Sequence, residues 1–178
     1  MAATFLKARG HEVGKSLVEE ERLETASGLM QQAAESGVTV VLPEDVLIAA
    51  EISPEAEAAV VSVDDIPAEQ KIVDIGPQTI EIFKSRLRSA KTVFWNGPPG
   101  IEEIPQFARG TEAMAQTLAE IDAKTILGGG STAEAVHNMG LEDKMTFVST
   151  GGGASLEFLG GENLPGVESL MERERGGI

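Results

Sequence analysis

Apolar and polar positions along the chain follow two alternating rhythms. Short runs rich in β-branched residues occupy 38–42, 71–75, 92–95, 125–127 and 146–149, and each soon meets a Gly, Pro or Asn, the pattern of buried strands closed by turn residues. Between most of them apolar residues recur at helical spacing, as Leu23, Ala26, Met30 and Ala33, then Ile80, Phe83, Leu87 and Ala90, then Phe107, Thr111, Met114, Leu118 and Ile121. Such spacing lays one stripe along one helix face. Start signals agree: Ser16 with Glu19 and Ser131 with Glu134 are spaced as capping boxes, and Pro77 suits a first helical turn. The stretch 49–68 has no clear period, and short edge strands are expected around Val60 to Val63.

Strand and helix in alternation predict an α/β fold of three layers, a mostly parallel, Rossmann-like sheet with helices on both faces and ligands at the carboxyl ends of its strands. A length of 178 residues with 42% hydrophobic content suits one compact core. The expected body is 1–166, followed by a tail 167–178. Weak order is expected at 160–166 and in the charged run 172–175.

Charge narrows the function. With 29 acidic and 14 basic residues the net charge is −15, which disfavours nucleic acid, because duplex binding needs Lys and Arg to displace counterions. No apolar run approaches the ~20 residues of a membrane span, the first residues lack a signal-peptide pattern, and there is no cysteine. A cytoplasmic chain with neither membrane nor nucleic-acid partner is the expectation.

The candidate chemistry lies where two apolar runs end in glycine triplets, Gly128-Gly129-Gly130 followed by Ser131 and Thr132, and Gly151-Gly152-Gly153 followed by Ala154. A strand that feeds a helix through glycines leaves backbone N–H groups free at the helix's positive end, with no Cβ to hold an anion away. Neither loop has the lysine of a P-loop or the spacing of a dinucleotide fingerprint, so tight turning alone is the competing reading. A third loop, Trp95-Asn96-Gly97-Pro98-Pro99-Gly100-Ile101-Glu102-Glu103, is rigid enough to fix Asn96 and Glu103. Glu103 could accept hydrogen bonds from ribose hydroxyls or merely charge the start of the next helix. His11, His137, Lys15 and the run Glu19 to Glu21 read as solvated surface, Trp95 as core, and no metal-ligand cluster is expected.

Trp95-Asn-Gly-Pro98 with Gly100 and Glu103, Asp74-Ile-Gly-Pro77, Gly128-Gly-Gly130, Ser149-Thr-Gly-Gly-Gly-Ala-Ser-Leu-Glu157 and Leu164-Pro-Gly-Val167 resemble phosphoglycerate kinase in order and spacing. The opening Thr4-Phe-Leu-Lys-Ala8, Val13-Gly-Lys-Ser-Leu17 and Leu42-Pro43 fit as well. The resemblance implies a glycolytic, two-lobed kinase with a hinge, monomeric when intact, moving a phosphoryl group between 1,3-bisphosphoglycerate and Mg-ADP to give 3-phosphoglycerate and ATP. This chain is similar to most of the nucleotide-binding lobe, truncated at its N-terminal side. By that likeness Leu42 packs on adenine, Asn96 and Pro98 line the nucleotide pocket, and Glu103 takes the ribose. Gly128, Gly129, Gly130, Ser131 and Thr132 face the nucleotide phosphates, while Gly151, Gly152 and Gly153 face the phosphoryl group in flight.

Departures from the family pattern bear on activity. Ser131 stands where the family has a metal-contacting Asp, and Pro99 and Glu102 replace residues that are usually apolar. Neither glycine loop holds a Lys or Arg to neutralise transition-state charge; the family's basic cluster belongs to the other lobe. The fragment alone is therefore expected to lack turnover, with phosphoglycerate binding only alongside that lobe. The alternative is a non-catalytic nucleotide-binding module with a degraded metal site.

Overall fold

In the computed structural model, which describes residues 1–169, strand β1 (Asp45–Ala49) is the centre of the first of two units. That unit comprises Met1–Ser89 and Pro98–Thr117; the second comprises Ala90–Gly97 and the described residues from Leu118. Two compact units thus stand where the composition suggested one. Of the expected tail 167–178, residues 170–178, including the run 172–175, lie outside the described residues.

β1 pairs antiparallel with β2 (Ala58–Ser62) and with β3 (Lys71–Ile75), in the order β2-β1-β3. Loops without helices join these strands, and antiparallel pairing needs no helical crossover. Flanked on both edges, β1 is almost wholly buried, whereas β2 is the exposed edge strand that the sequence around Val60 predicted. The expected strand at 38–42 does not form. Its β-branched side chains favour a sheet, but the run lacks a partner edge and leaves Val38 60% and Val40 41% exposed; pairing starts only past Pro43, at Asp45.

Helix α1 (Ala2–Ala8) drives Leu6 into a core with Val13, Val46, Ile48, Val63 and Ile66, and α2 (Leu23–Glu35) packs on α1. The Ser16 capping box is not made. Its hydroxyl instead accepts the Ile72 N–H at 2.9 Å, and the chain enters α2 through a 3-10 turn, Glu20–Arg22. Helix α3 (Pro77–Arg88) carries Pro77 in its first turn as expected. Ahead of α4 (Arg109–Glu120), the 3-10 turn Pro105–Phe107 buries Phe107 completely beside Ala49, Ala56, Val73 and Ile104.

The second unit carries the parallel sheet that the strand and helix alternation predicted, with β5 (Lys124–Gly128) between β4 (Thr92–Asn96) and β6 (Phe147–Ser149). Helix α5 (Gly130–Asn138) follows β5 and α6 (Gly152–Leu159) follows β6. Trp95 is buried as predicted and its indole N–H donates to the Gly97 carbonyl at 2.9 Å. The register sets Asn96 beside Gly128 and Gly128 beside Ser149, so three carboxyl ends finish level and both glycine loops leave the sheet on one edge.

Candidate functional site

Steric demands explain three of the six loop glycines, Gly128, Gly129 and Gly152. A Cβ on Gly128 would lie 2.6 Å from the Phe94 ring and 3.0 Å from Asn96 Nδ2, and Gly129 turns the chain at φ +102°, a region that L side chains avoid. Asn96 fastens this corner, its Nδ2 donating to the Gly128 carbonyl at 2.9 Å, while the Gly97 N–H donates to Thr132 Oγ1 at 2.8 Å. The Gly129 N–H donates to the Ser149 carbonyl at 2.9 Å and extends the ladder to β6. The loops touch: a Cβ on Gly152 would sit 3.0 Å from Gly129 Cα and 3.4 Å from Asn96 Nδ2.

Beyond that contact the helices begin open. Ala133 is the first residue of α5 whose amide finds a turn acceptor, the Gly129 carbonyl. Among the described residues, no acceptor faces the N–H groups of Gly130, Ser131 and Thr132, and no side chain caps the helix. The expected Ser131 and Glu134 capping box is absent, because the turn at Gly129 starts the helix early and places Ser131 inside its first turn rather than in front of it. The second loop is partly closed on itself. Ser149 Oγ accepts the Gly151 N–H at 3.2 Å, the Gly152 N–H donates to the Thr150 carbonyl at 3.1 Å, and Ser155 Oγ donates to the Gly151 carbonyl at 2.6 Å. Among the described residues, nothing accepts the amides of Gly153 and Ala154. Among the described residues, five unpaired amides thus stand at two helix N-termini, positions whose free N–H groups and dipole suit an anion in general.

Comparison with known proteins bears on this arrangement. A family model described as phosphoglycerate kinase matches residues 1–162. The chain belongs to the phosphoglycerate kinase family. A phosphoglycerate kinase of Pelotomaculum thermopropionicum is 52% identical over 173 residues, which are 97% of this chain and 44% of that protein. One from Trichodesmium erythraeum is also 52% identical, with the same coverage. The solved phosphoglycerate kinase of Coxiella burnetii matches with a TM-score of 0.89 at 44% identity, covering 94% of this chain and 43% of that one. The chain therefore spans less than half the length of the relatives it matches.

The remaining residues singled out by the phosphoglycerate kinase likeness stand in the first unit. Leu42 is half-buried against the Leu6 core and lines a cleft of about 740 Å³ with Arg9 and Arg86. Pro98 is half-buried and Glu103 is exposed. Glu103 does not charge the first turn of α4, which begins further on at Arg109 and receives Asp74 instead. His11 pairs with Asp64 at 3.0 Å and His137 with Glu142 at 2.8 Å, while Lys15 pairs with Glu69 at the surface.

Sequence reasoning gave no role to two buried carboxylates. Asp45 accepts the N–H groups of Gln78 at 3.0 Å and Thr79 at 2.7 Å and the Thr79 hydroxyl at 2.7 Å. Asp74, 1% exposed, accepts the N–H groups of Gly110 and Ile75, both at 2.8 Å. Burial pushes its carboxyl up to about 6, against the lowering effect of the amides of Gly110, Ile75 and Arg109. A lone acidic residue in the apolar run of β3 was the available signal for Asp74.

Proposed function

We propose that this chain is the nucleotide-binding lobe of a phosphoglycerate kinase and that the open amides of α5 and α6 receive the phosphates. The observation that carries this reading is the close approach of Gly152 to Gly129, which puts two uncapped helix starts side by side on one sheet edge. Each N-terminus presents about half a positive charge, in a region where the chain offers no acidic first-turn residue on either helix. Asn96 holds the corner rigid, and Thr132, its hydroxyl already engaged, contributes through its amide. The roles of Leu42 and Pro98 toward the base and of Glu103 toward the ribose rest on the resemblance alone.

The parent reaction on this reading is phosphoryl transfer between 1,3-bisphosphoglycerate and ADP. Oriented amides stabilise charge on the transferred group without reorganising, but transfer also calls for cations. Both loops lack Lys and Arg, so the isolated chain binds nucleotide weakly and does not turn over. Magnesium does not fit a protein-held site here: Ser131 is an exposed hydroxyl, and among the described residues no three His, Cys, Asp or Glu groups cluster to hold a metal. A hard cation prefers charged oxygen. Ser131 thereby also favours the second reading, a nucleotide module with a decayed metal site; a large rise in Mg-dependent turnover on Ser131→Asp in a full-length protein would support it.

ADP titration followed by amide NMR tests the main reading. Perturbations should concentrate at Gly130, Ser131, Thr132, Gly153 and Ala154. Saturable binding that leaves those five amides unmoved would overturn it.

A further inference from the structure

Asp74 does more than begin a helix. A carboxylate that served only as the cap of α4 would need to meet α4 alone, through Gly110. This one is also pressed from the opposite chain segment: a Cβ on Gly100 would lie 2.5 Å from the Asp74 carboxylate, and a Cβ on Gly110 would lie 2.4 Å from its Oδ1. The backbone between them is fastened as well, since the Ile101 N–H is shared between the Val73 carbonyl at 3.2 Å and the Phe107 carbonyl at 3.0 Å. Two glycine seats, one on each segment, close on a single buried group. We propose that Asp74 is a positioning residue for the loop 98–103, fixing through Gly100 and Gly110 where that loop presents Pro98 and Glu103.

The inference rests on the nucleotide reading for its functional consequence and on geometry alone for the clamp. Both carboxylate oxygens accept backbone N–H groups, so an amide at this position must turn an NH2 toward one of those donors. Asp74→Asn therefore opens the clamp at nearly constant volume. Loss of one charge-assisted hydrogen bond corresponds to roughly a tenfold weakening.

The experiment measures Kd for ADP and for inorganic tripolyphosphate, which has no ribose, on the wild-type chain and on Asp74→Asn, with amide NMR on both. ADP should bind about tenfold more weakly to the variant while tripolyphosphate binds equally to both, and the amides of Gly100, Ile101 and Glu103 should shift. Equal ADP affinity, or equal loss for both ligands, overturns the positioning role. A wild-type chain that binds neither ligand defeats the nucleotide reading and with it the functional consequence, leaving the amide shifts to decide the clamp. Should Asp74→Asn fail to fold, the titration of Asp74 in the wild-type protein decides the same question. Glu112 on α4 is the charged side chain acting on that carboxyl; β1 brings Leu47, and the loop brings Gly100. The Gly100 and Glu103 amides should titrate together with the Gly110 amide, at the midpoint of about 6 to which burial raises the Asp74 carboxyl. Loop amides that stay flat while Gly110 moves overturn the clamp.

Discussion

Helices α3 and α4 begin against buried carboxylates, whereas α5 and α6 begin at glycines and, among the described residues, no acidic group accepts their first amides. In the first unit Asp45 takes the amides of Gln78 and Thr79, and Asp74 takes that of Gly110. These two helix ends have been given their anions from within the fold. In the second unit the same four-donor problem is left open at Gly130, Ser131 and Thr132 and again at Gly153 and Ala154. A chain with 29 acidic residues had ample means to close those ends. On the proposed reading, the difference separates helix starts that serve stability from helix starts that hold binding capacity in reserve, since an unsatisfied N-terminus is stabilised by whatever anion arrives.

The comparison breaks most visibly at Asp45. Asp45→Ala strands the amides of Gln78 and Thr79, one partly buried and one buried, while the Thr79 hydroxyl keeps the Asp45 carbonyl, and the change should cost about 3 kcal/mol in denaturant unfolding. A loss under about 1 kcal/mol would mean that water caps α3 equally well. Asp74 gives the next effect, through pH. Its carboxyl rises from an ordinary 3.8 to about 6 in the folded protein, so between those values the folded state keeps a proton that the unfolded chain has released. Its contribution is full below pH 3.8 and is lost as pH rises through about 6, on the order of 2–3 kcal/mol in all. Stability measured from pH 4 to pH 7 should carry that decline, and Asp74→Asn should flatten it.

Why one set of helix ends was legible in the sequence and the other was not follows from where the partners sit. The first glycine triplet announces itself locally, because a strand end that must admit φ +102° at Gly129 has to be written as glycine. Helices α2 to α4 and strands β3 to β6 were equally readable from periodicity. Asp45 and Asp74, by contrast, cap helices that begin far along the chain, and no local spacing records that. The failed capping box at Ser16 is the same lesson inverted: the local pattern was present, but Ile72 from a distant strand claimed the hydroxyl. The run 38–42 had the composition of a strand and lacked an edge to join, while the contact of Gly152 with Gly129 depends on the register of β5 and β6, which composition does not encode.

Within the open ends, the turn can be broken without touching the amides. Gly129→Ala forces a side chain into the φ +102° region at a cost of about 1–2 kcal/mol, and rotating that peptide swings the first turn of α5 away from Gly152. Tripolyphosphate affinity should fall severalfold with it. Unchanged affinity would show that α5 and α6 do not act as a pair.

The smallest effect is the sharpest, because it converts an open end into a closed one. Ser131→Asp places a carboxylate in the exposed first turn of α5, copying in the second unit what Asp45 and Asp74 do in the first. The macrodipole should reward it by about 0.5 kcal/mol of stability. The same charge should repel a polyphosphate, so that without magnesium tripolyphosphate binds more weakly as the protein becomes more stable. Opposite signs for stability and affinity at a single residue are what a reserved anion site requires. If both rise together, the open amides are a weakness of the fold, and the contrast between the two units carries no information about binding.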